Sequence, residues 1–319
     1  MQASAQAQPN IALVKYWGKR DRGRNLPAVS SLSLTLDTLW TRMSVRFGEQ
    51  PRDTLKVNGQ DAPGMLGRVS YCLDLVAGKD REQAGVVSES NFPIGAGLAS
   101  SAAAFAALVV AANEAAGTDL DTLSLARLAG AVSGSAARSL YGGFVELTAG
   151  DEYIDVHALV DGDEWPVEVI VAVTEEAAKP VGSGDAMIRS ATTSPFYASW
   201  LERQSADLEQ ARQALAQKDF GSLAAVSEHS CLKMHSVMWT SRPPIVYWNK
   251  ATLACMETVR SLQAEGLGVF FTIDAGPQVK AICLPEAGDT VLTALAQTPG
   301  VLRTMRSGPG VGATLTGSR

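Results

Sequence analysis

One stretch constrains this chain more than any other: Asn91–Ala112, NFPIGAGLASSAAAFAALVVAA. Pro93, Gly95 and Gly97 lead into Ser100 and Ser101, and an apolar run of small residues follows. Glycine tolerates positive φ and lets backbone approach a ligand closely. A helix start presents unpaired N–H groups and the positive end of a dipole. Loop and helix together make an anion cradle, most often for phosphate. The two serines add hydroxyls suited to a phosphate oxygen or a magnesium ion. The same residues also suit a tight turn packed on a core helix. Two common nucleotide loops do not fit: no Gly-Lys-Ser/Thr follows, and Ser100 stands where the dinucleotide fingerprint needs a third Gly or an Ala.

A length of 319 residues suits one large or two ordinary domains. The net charge of −6 argues against nucleic acid or an anionic membrane as partner. No apolar run reaches the roughly 18 residues of a membrane span; Ala102–Ala112 reads as a buried helix. The opening MQASAQAQPN lacks a basic region and an apolar signal core, so a cytoplasmic protein is expected. Four cysteines, with no CxxC, read as reduced thiols. His229, Cys231 and His235 fit no zinc spacing and read as helix residues.

Asn10–Lys19 begins like a strand and ends in a polar and aromatic cluster. Lys15, Lys19, Arg20, Arg22 and Arg24 gather cations there, as a solvated loop or as a site for an anionic substrate. Ser30–Leu36 alternates leucines with hydroxyls and predicts a half-buried strand. Further strands are predicted at Thr41–Phe47, at Leu55–Val57 before the Asn58-Gly59 turn, and at Gly85–Glu89. Met65–Ala77 and Thr122–Val132 have helical spacing, the second capped by Asp121. Ser133–Gly143, SGSAARSLYGG, surrounds Arg138 with small residues and hydroxyls. It is either a turn with a surface arginine or a grip on a carboxylate or phosphate, for which the guanidinium fork is suited. The acidic loop at Val160–Pro166 marks the predicted boundary between domains 1–166 and 167–319. Val167–Val173 then predicts a strand, Lys179–Asp185 a glycine-rich loop, and 199–263 long helices broken at Pro243-Pro244. Val269–Ile273 and Val279–Leu284 predict an antiparallel pair joined by Asp274-Ala-Gly-Pro277. Gly288–Gln297 is the last predicted helix and Val301–Met305 the last predicted strand. Asp274 ends an apolar strand, where it serves as a turn residue or something more.

Taken together, Ile11–Lys19, Asn25–Leu36, Asn91–Ala104, Ser133–Gly143 and Thr272–Pro277 resemble, in order, the motifs of the GHMP kinases, and within them the diphosphomevalonate decarboxylases. The resemblance implies an α+β GHMP kinase fold: an N-terminal ribosomal-S5-like α/β domain and a C-terminal ferredoxin-like α+β domain, with the active site in the cleft between them. It implies ATP and Mg²⁺, a phosphorylated mevalonate as small-molecule substrate, and a homodimer. Pro93, Gly95, Ala96, Gly97, Leu98, Ala99, Ser100 and Ser101 would hold the nucleotide, with Ser100 a magnesium contact. Tyr16, Trp17, Gly18 and Lys19 would meet the substrate's diphosphate end. Ser133, Gly134, Ser135 and Arg138 would bind the substrate, with Arg138 near its carboxylate. Asp274 would be the catalytic carboxylate, with Lys15 beside it to keep it ionised.

The implied chemistry suits these residue types. A tertiary alcohol is a poor leaving group until it is phosphorylated. Asp274 would orient that hydroxyl, and Arg138 would align the carboxylate that leaves as CO2. At Gly182-Ser183-Gly184 many relatives carry Ser-Ser and a longer polar residue; Ser183 can still reach a diphosphate, Gly184 cannot. A decarboxylase or kinase acting on 5-phosphomevalonate therefore stays open as an alternative. From a different class, so does an inactive ligand-binding regulator on the same fold.

Overall fold

The computed structural model of the chain describes residues 1–48, 51–95, 97–177 and 179–318. The N-terminal half runs β1 (Gln2–Ala7), β2 (Asn10–Val14), β3 (Lys19–Asp21), β4 (Leu26–Pro27), β5 (Ser31–Thr35), β6 (Thr41–Phe47), β7 (Thr54–Val57), β8 (Gln60–Asp61), α1 (Pro63–Ala77), β9 (Ala84–Ser90), α2 (Ser100–Ala116), α3 (Thr122–Val132), a 3-10 turn (Gly134–Leu140), β10 (Phe144–Ala149) and β11 (Ile154–Val160). The C-terminal half runs β12 (Glu168–Val173), α4 (Ser183–Thr193), α5 (Tyr197–Gln217), α6 (Phe220–Trp239), α7 (Lys250–Ala264), β13 (Val269–Ile273), β14 (Val279–Cys283), α8 (Gly288–Gln297), β15 (Arg303–Ser307) and β16 (Thr314–Ser318).

The helix that follows the glycine loop is the centre of the N-terminal half. α2 lies against β1 and β6 of a six-stranded sheet ordered β16-β1-β6-β9-β7-β8, with α1 and α3 beside it. Alanines such as Ala103, Ala106, Ala107 and Ala111 are fully buried, so backbone approaches backbone on almost every side. A helix enclosed like this has no need of an amphipathic stripe. It begins at Ala99, which is itself left-handed (φ 53), and ends at Gly117, whose positive φ closes the last turn.

β5 departs from expectation. It is a strand, but it is buried on both faces. It sits between β2 and β10 in a four-stranded sheet ordered β11-β10-β5-β2. Leu32 and Leu34 enter a core; Ser31 and Ser33 face inward too, because they hold a buried arginine. Several strands went unpredicted, β1, β10, β11 and β16 among them. β1 reads QASAQA, where Ala3, Ala5 and Ala7 are the inward residues, and alanine gives little apolar contrast. β10 and β11 form an antiparallel pair behind β5. The last predicted strand falls two residues later, at Arg303–Ser307, and β16 follows it to pair with β1.

The C-terminal sheet, ordered β13-β14-β12-β15, is antiparallel throughout. One face packs on α7 and α8 through Val259, Leu262, Val291 and Leu295. The other places Val169, Val171, Phe270 and Ile282 in one cluster with Leu32 and Leu34 of β5 and with Leu208 and Leu223 of α5 and α6. The two halves therefore share a core, which fixes β2 and β5 relative to β13 and β14. Burying each such side chain contributes about 1.5–3 kcal/mol. The four cysteines are free and buried. Among the described residues, no helix is long and apolar enough to cross a membrane.

Candidate active site

The shared core places three chain turns around one cleft of about 750 Å³: the end of β2, the 3-10 turn after α3, and the β13–β14 turn. The glycine loop closes one side and the start of α4 another. Among the described residues, Lys15, Lys19, Arg68, Arg138 and Lys179 line it against Asp185 and Asp274. In a chain of charge −6 this is a local excess of cations, suited to a polyanionic ligand.

Asp274 lies where β13 ends. One oxygen accepts from Lys15 Nζ at 2.7 Å and the other from Lys280 Nζ at 3.2 Å. Its side chain keeps 21 % exposure while both lysine side chains keep 1 %. Burial by itself would raise this carboxyl; the two ammonium groups outweigh that and hold it well below the usual carboxylate range. It is therefore an ionised hydrogen-bond acceptor across the working pH range and a weak base. The expected Lys15–Asp274 pair is present. Lys280 was not foreseen, although a lysine within the apolar strand VKAIC was a signal, since a buried ammonium demands a partner.

α6 braces this corner from behind. Ser230 Oγ accepts from the Lys15 backbone N–H at 3.0 Å, and Cys231 Sγ accepts from the Ile273 N–H at 3.2 Å. His235 Nε2 lies 3.3 Å from the Ile273 carbonyl and 3.2 Å from Trp248 Nε1. Burial, then nearby Lys15, lowers the His235 pKa to about 3, so the imidazole is neutral. His235 and Cys231 thus brace the β13–β14 turn as packed helix residues.

Arg138 is the second fixed point. It is 2 % exposed, not a surface arginine. Its Nε donates to Ser33 Oγ (2.9 Å) and Asn10 Oδ1 (3.2 Å), Nη1 to Ser31 Oγ (2.6 Å) and Nη2 to Asn10 Oδ1 (3.1 Å). Each terminal nitrogen of the fork carries two N–H groups, so one on each is left over. Among the described residues no carboxylate forms an ion pair with it. Burial pulls its pKa down to about 10, which still leaves it charged. A buried guanidinium without an anion is costly, and a ligand carboxylate would complete it. Asn10 also donates to Ser135 O (3.0 Å) and Ser139 Oγ (2.8 Å), tying the 3-10 turn to β2. The sequence marks Asn10, Ser31 and Ser33 only as strand residues; that β2 and β5 are buried along their whole length, which makes these polar side chains informative, emerges only from the fold.

In the glycine loop, Gly95 N–H donates to Ser100 Oγ at 3.1 Å, and Ser133 Oγ donates to Ser101 Oγ at 3.4 Å. Gly95, Gly97, Ala99, Ser100 and Ser101 line the cleft. Leu98 instead points into the core and can offer only backbone. Pro93 is half-buried outside the lining, and Ala96 lies outside the described residues.

Among the remaining predicted residues, Tyr16 reaches the cleft with a buried hydroxyl that has no partner among the described residues, and burial pushes its pKa up to about 12. That hydroxyl would lie 2.3 Å from any Cβ at position 134, so Gly134 leaves room for it. Lys19 is half-buried, and burial, helped by Arg68, lowers its pKa. Trp17 is 1 % exposed and packs with Met187 and Trp200. Gly18 (φ +104) sits beneath Tyr197, whose hydroxyl would meet a Cβ at 2.1 Å. Ser183 opens α4 in place of the expected loop and accepts from Lys179 Nζ at 2.6 Å. Arg20 and Arg24 pair with Asp151 and Asp21 on the surface.

A glycine loop on a buried helix, facing a carboxylate paired with lysine across a two-part α+β fold, defines the GHMP kinase class. Two family models match: the diphosphomevalonate decarboxylase-like N-terminal domain over residues 7–158 and the mevalonate 5-diphosphate decarboxylase C-terminal domain over 169–306. The chain belongs to the diphosphomevalonate decarboxylase family. Diphosphomevalonate decarboxylase of Saccharomyces cerevisiae is 36 % identical over 310 residues, covering 89 % of this chain and 78 % of the yeast protein. The mevalonate diphosphate decarboxylase from Staphylococcus aureus superposes with a TM-score of 0.93 at 34 % identity, over 99 % of this chain and 98 % of the other. MDDEF in complex with MVAPP, AMPPCP and magnesium gives a TM-score of 0.92 at 35 % identity, over 100 % and 99 %. The expected fold is borne out.

Proposed function

We propose that this chain decarboxylates (R)-5-diphosphomevalonate in an ATP-dependent reaction, giving isopentenyl diphosphate, ADP, phosphate and CO2. The observation that carries the reading is the meeting of Asp274, Lys15, Arg138 and the glycine loop on one cleft. The family to which the chain belongs, and the ligands of MDDEF, support it.

In this reading Asp274 accepts a hydrogen bond from the 3-hydroxyl and aims its oxygen at the phosphoryl group being transferred. Lys15 and Lys280 make the carboxylate a weak base, so its contribution is mainly orientation, worth on the order of 10² in rate, and the hydroxyl proton passes to the phosphoryl oxygens as the O–P bond forms. The two free N–H groups of Arg138 hold the C1 carboxylate. Once the 3-oxygen leaves as phosphate, the C1–C2 bond pair forms the new double bond and CO2 departs. Tyr16, Lys19 and Ser183 face the diphosphate end. Leu55, Val57, Met65 and Phe105, which also line the cleft, supply apolar surface for the adenine.

Magnesium fits the donors present. Among the described residues no group of three His, Cys, Asp or Glu could cage a metal. Mg²⁺ characteristically binds through substrate phosphates, waters and one or two protein oxygens, and the Ser100 hydroxyl at the head of α2 supplies one. Bound with the nucleotide, the ion neutralises phosphate charge.

The test supplies purified protein and Mg-ATP with mevalonate, its 5-phosphate or its 5-diphosphate, and follows ADP and CO2 together. Release of both in equal amounts from the diphosphate is expected. A preference for the monophosphate overturns the substrate, ADP without CO2 the reaction, and binding without turnover points to a regulator.

A further inference from the structure

Lys280 occupies the middle of β14, opposite Thr272, and is 1 % exposed. Its neighbours Val279 and Ala281 are fully buried. The ammonium has exchanged water for two acceptors from different parts of the chain: Asp274 Oδ2 at 3.2 Å and the carbonyl oxygen of Gly97 at 2.9 Å. Charge pairing alone does not call for it, because Lys15 already meets the other carboxylate oxygen at 2.7 Å. What Lys280 adds is the contact with the loop.

Loop and turn also touch through backbone. Gly97 has φ +88, and a Cβ there would lie 2.8 Å from Gly276 Cα. Lys179 adds a bond to Ala275 O at 2.9 Å from the same side. A carbonyl within an anion cradle repels phosphate unless something turns it away, and Lys280 takes that dipole. Because a trans peptide points its N–H opposite to its C=O, holding Gly97 O also fixes the direction of the Leu98 N–H.

We propose that Lys280 is a positioning residue that locks the glycine loop to the Asp274 carboxylate, so that the phosphate on the loop and the alcohol on the aspartate keep one separation. This rests on the functional reading above. It makes Gly97 and Lys280 two parts of a single device.

The experiment uses the full chain with Lys280→Met, Gly97→Ala and the double variant. Lys280→Met is expected to lower kcat on the order of 10²-fold, as misplacement by about 1 Å does. It should also weaken binding of a non-hydrolysable Mg-ATP analogue about tenfold, the scale of a lost charge-assisted bond. Binding of 5-diphosphomevalonate without nucleotide should stay within about threefold, since a broken lock leaves Arg138 in place. Gly97→Ala should show the same split, and the double variant should be no worse than the worse single, because both break one register. Losses that multiply, or a Lys280→Met protein with unchanged nucleotide binding, overturn the proposal. If thermal melts show Lys280→Met unfolded, Lys280→Gln replaces it, and Gly97→Ala alone must still weaken nucleotide and spare substrate. A wild type that binds nucleotide but makes no CO2 would end the functional reading, whereas the analogue titrations would still judge the lock.

Discussion

On one wall of the cleft Lys15 and Arg138 are 2 % exposed or less, Lys15 bonded to Ala12 O of β2 and to Asp274, Arg138 to Asn10, Ser31 and Ser33 of β2 and β5; Lys280, outside the lining and equally buried, bonds to Asp274 from β14. On the facing wall Gly95, Gly97, Ser100 and Ser101 are half-buried, and among the described residues the serine side chains bond to Gly95 of the loop and Ser133 of the adjoining turn. β2, β5, β13, β14 and α6 all converge on the first wall, so its geometry is set by the core. The second offers backbone donors and hydroxyls that a nucleotide would use. The difference teaches that, on the proposed function, the groups meeting the organic acid are set by the core, while the phosphate side rests on a loop with fewer ties to it.

Breaking the first wall has the largest expected effect. Asp274→Asn keeps shape and removes the charge that two lysines hold; turnover should fall at least about 10²-fold, the scale of lost positioning, while substrate affinity stays within a few-fold. Steady-state kinetics with calorimetric binding checks this, and near-normal turnover would remove Asp274 from the mechanism. Breaking the second wall should cost less and fall elsewhere. Ser100→Ala removes one hydroxyl from the phosphate side and should raise KM for Mg-ATP about tenfold, with substrate KM unchanged. Equal changes in both KM values would erase the division between the walls.

The smallest effect sharpens the account of what braces the first wall. His235 has a folded pKa of about 3, below its unfolded value near 6.5. Between those values the unfolded chain binds a proton that the folded chain does not, so stability falls as pH drops from 6.5 toward 3. Asp274, whose pKa is also depressed, adds its own loss only below about 4. Melting temperatures across pH 6.5 to 4.5 should therefore decline less steeply in His235→Gln than in wild type. An identical slope would mean that His235 is not the buried neutral group described.

The site was legible wherever chemistry left an odd residue in an ordinary pattern. Gly95 to Ser101 stood out as a glycine run before an apolar helix, and Asp274 as an acid ending an apolar strand. Arg138 showed only as a cation among small residues; that it is buried depends on Asn10, Ser31 and Ser33, which lie more than 100 positions away. Lys280 is the same case from the other side: its partners Asp274 and Gly97 meet it only through the β13–β14 register and the loop. Most elements of the fold followed from periodicity, including β6, β13 and α8, each with its predicted limits. β1 and β16 did not, because small and polar residues carry little alternation, and their pairing joins the two ends of the chain.

The claim that one wall is ready before the nucleotide arrives is tested most directly by titrating 5-diphosphomevalonate into nucleotide-free protein. Saturable binding is predicted, kept by Ser100→Ala and weakened about 10²-fold by Arg138→Gln, as expected for truncating a buried charge contact. Binding that appears only after nucleotide is added, or that ignores Arg138 and follows Ser100, would contradict it.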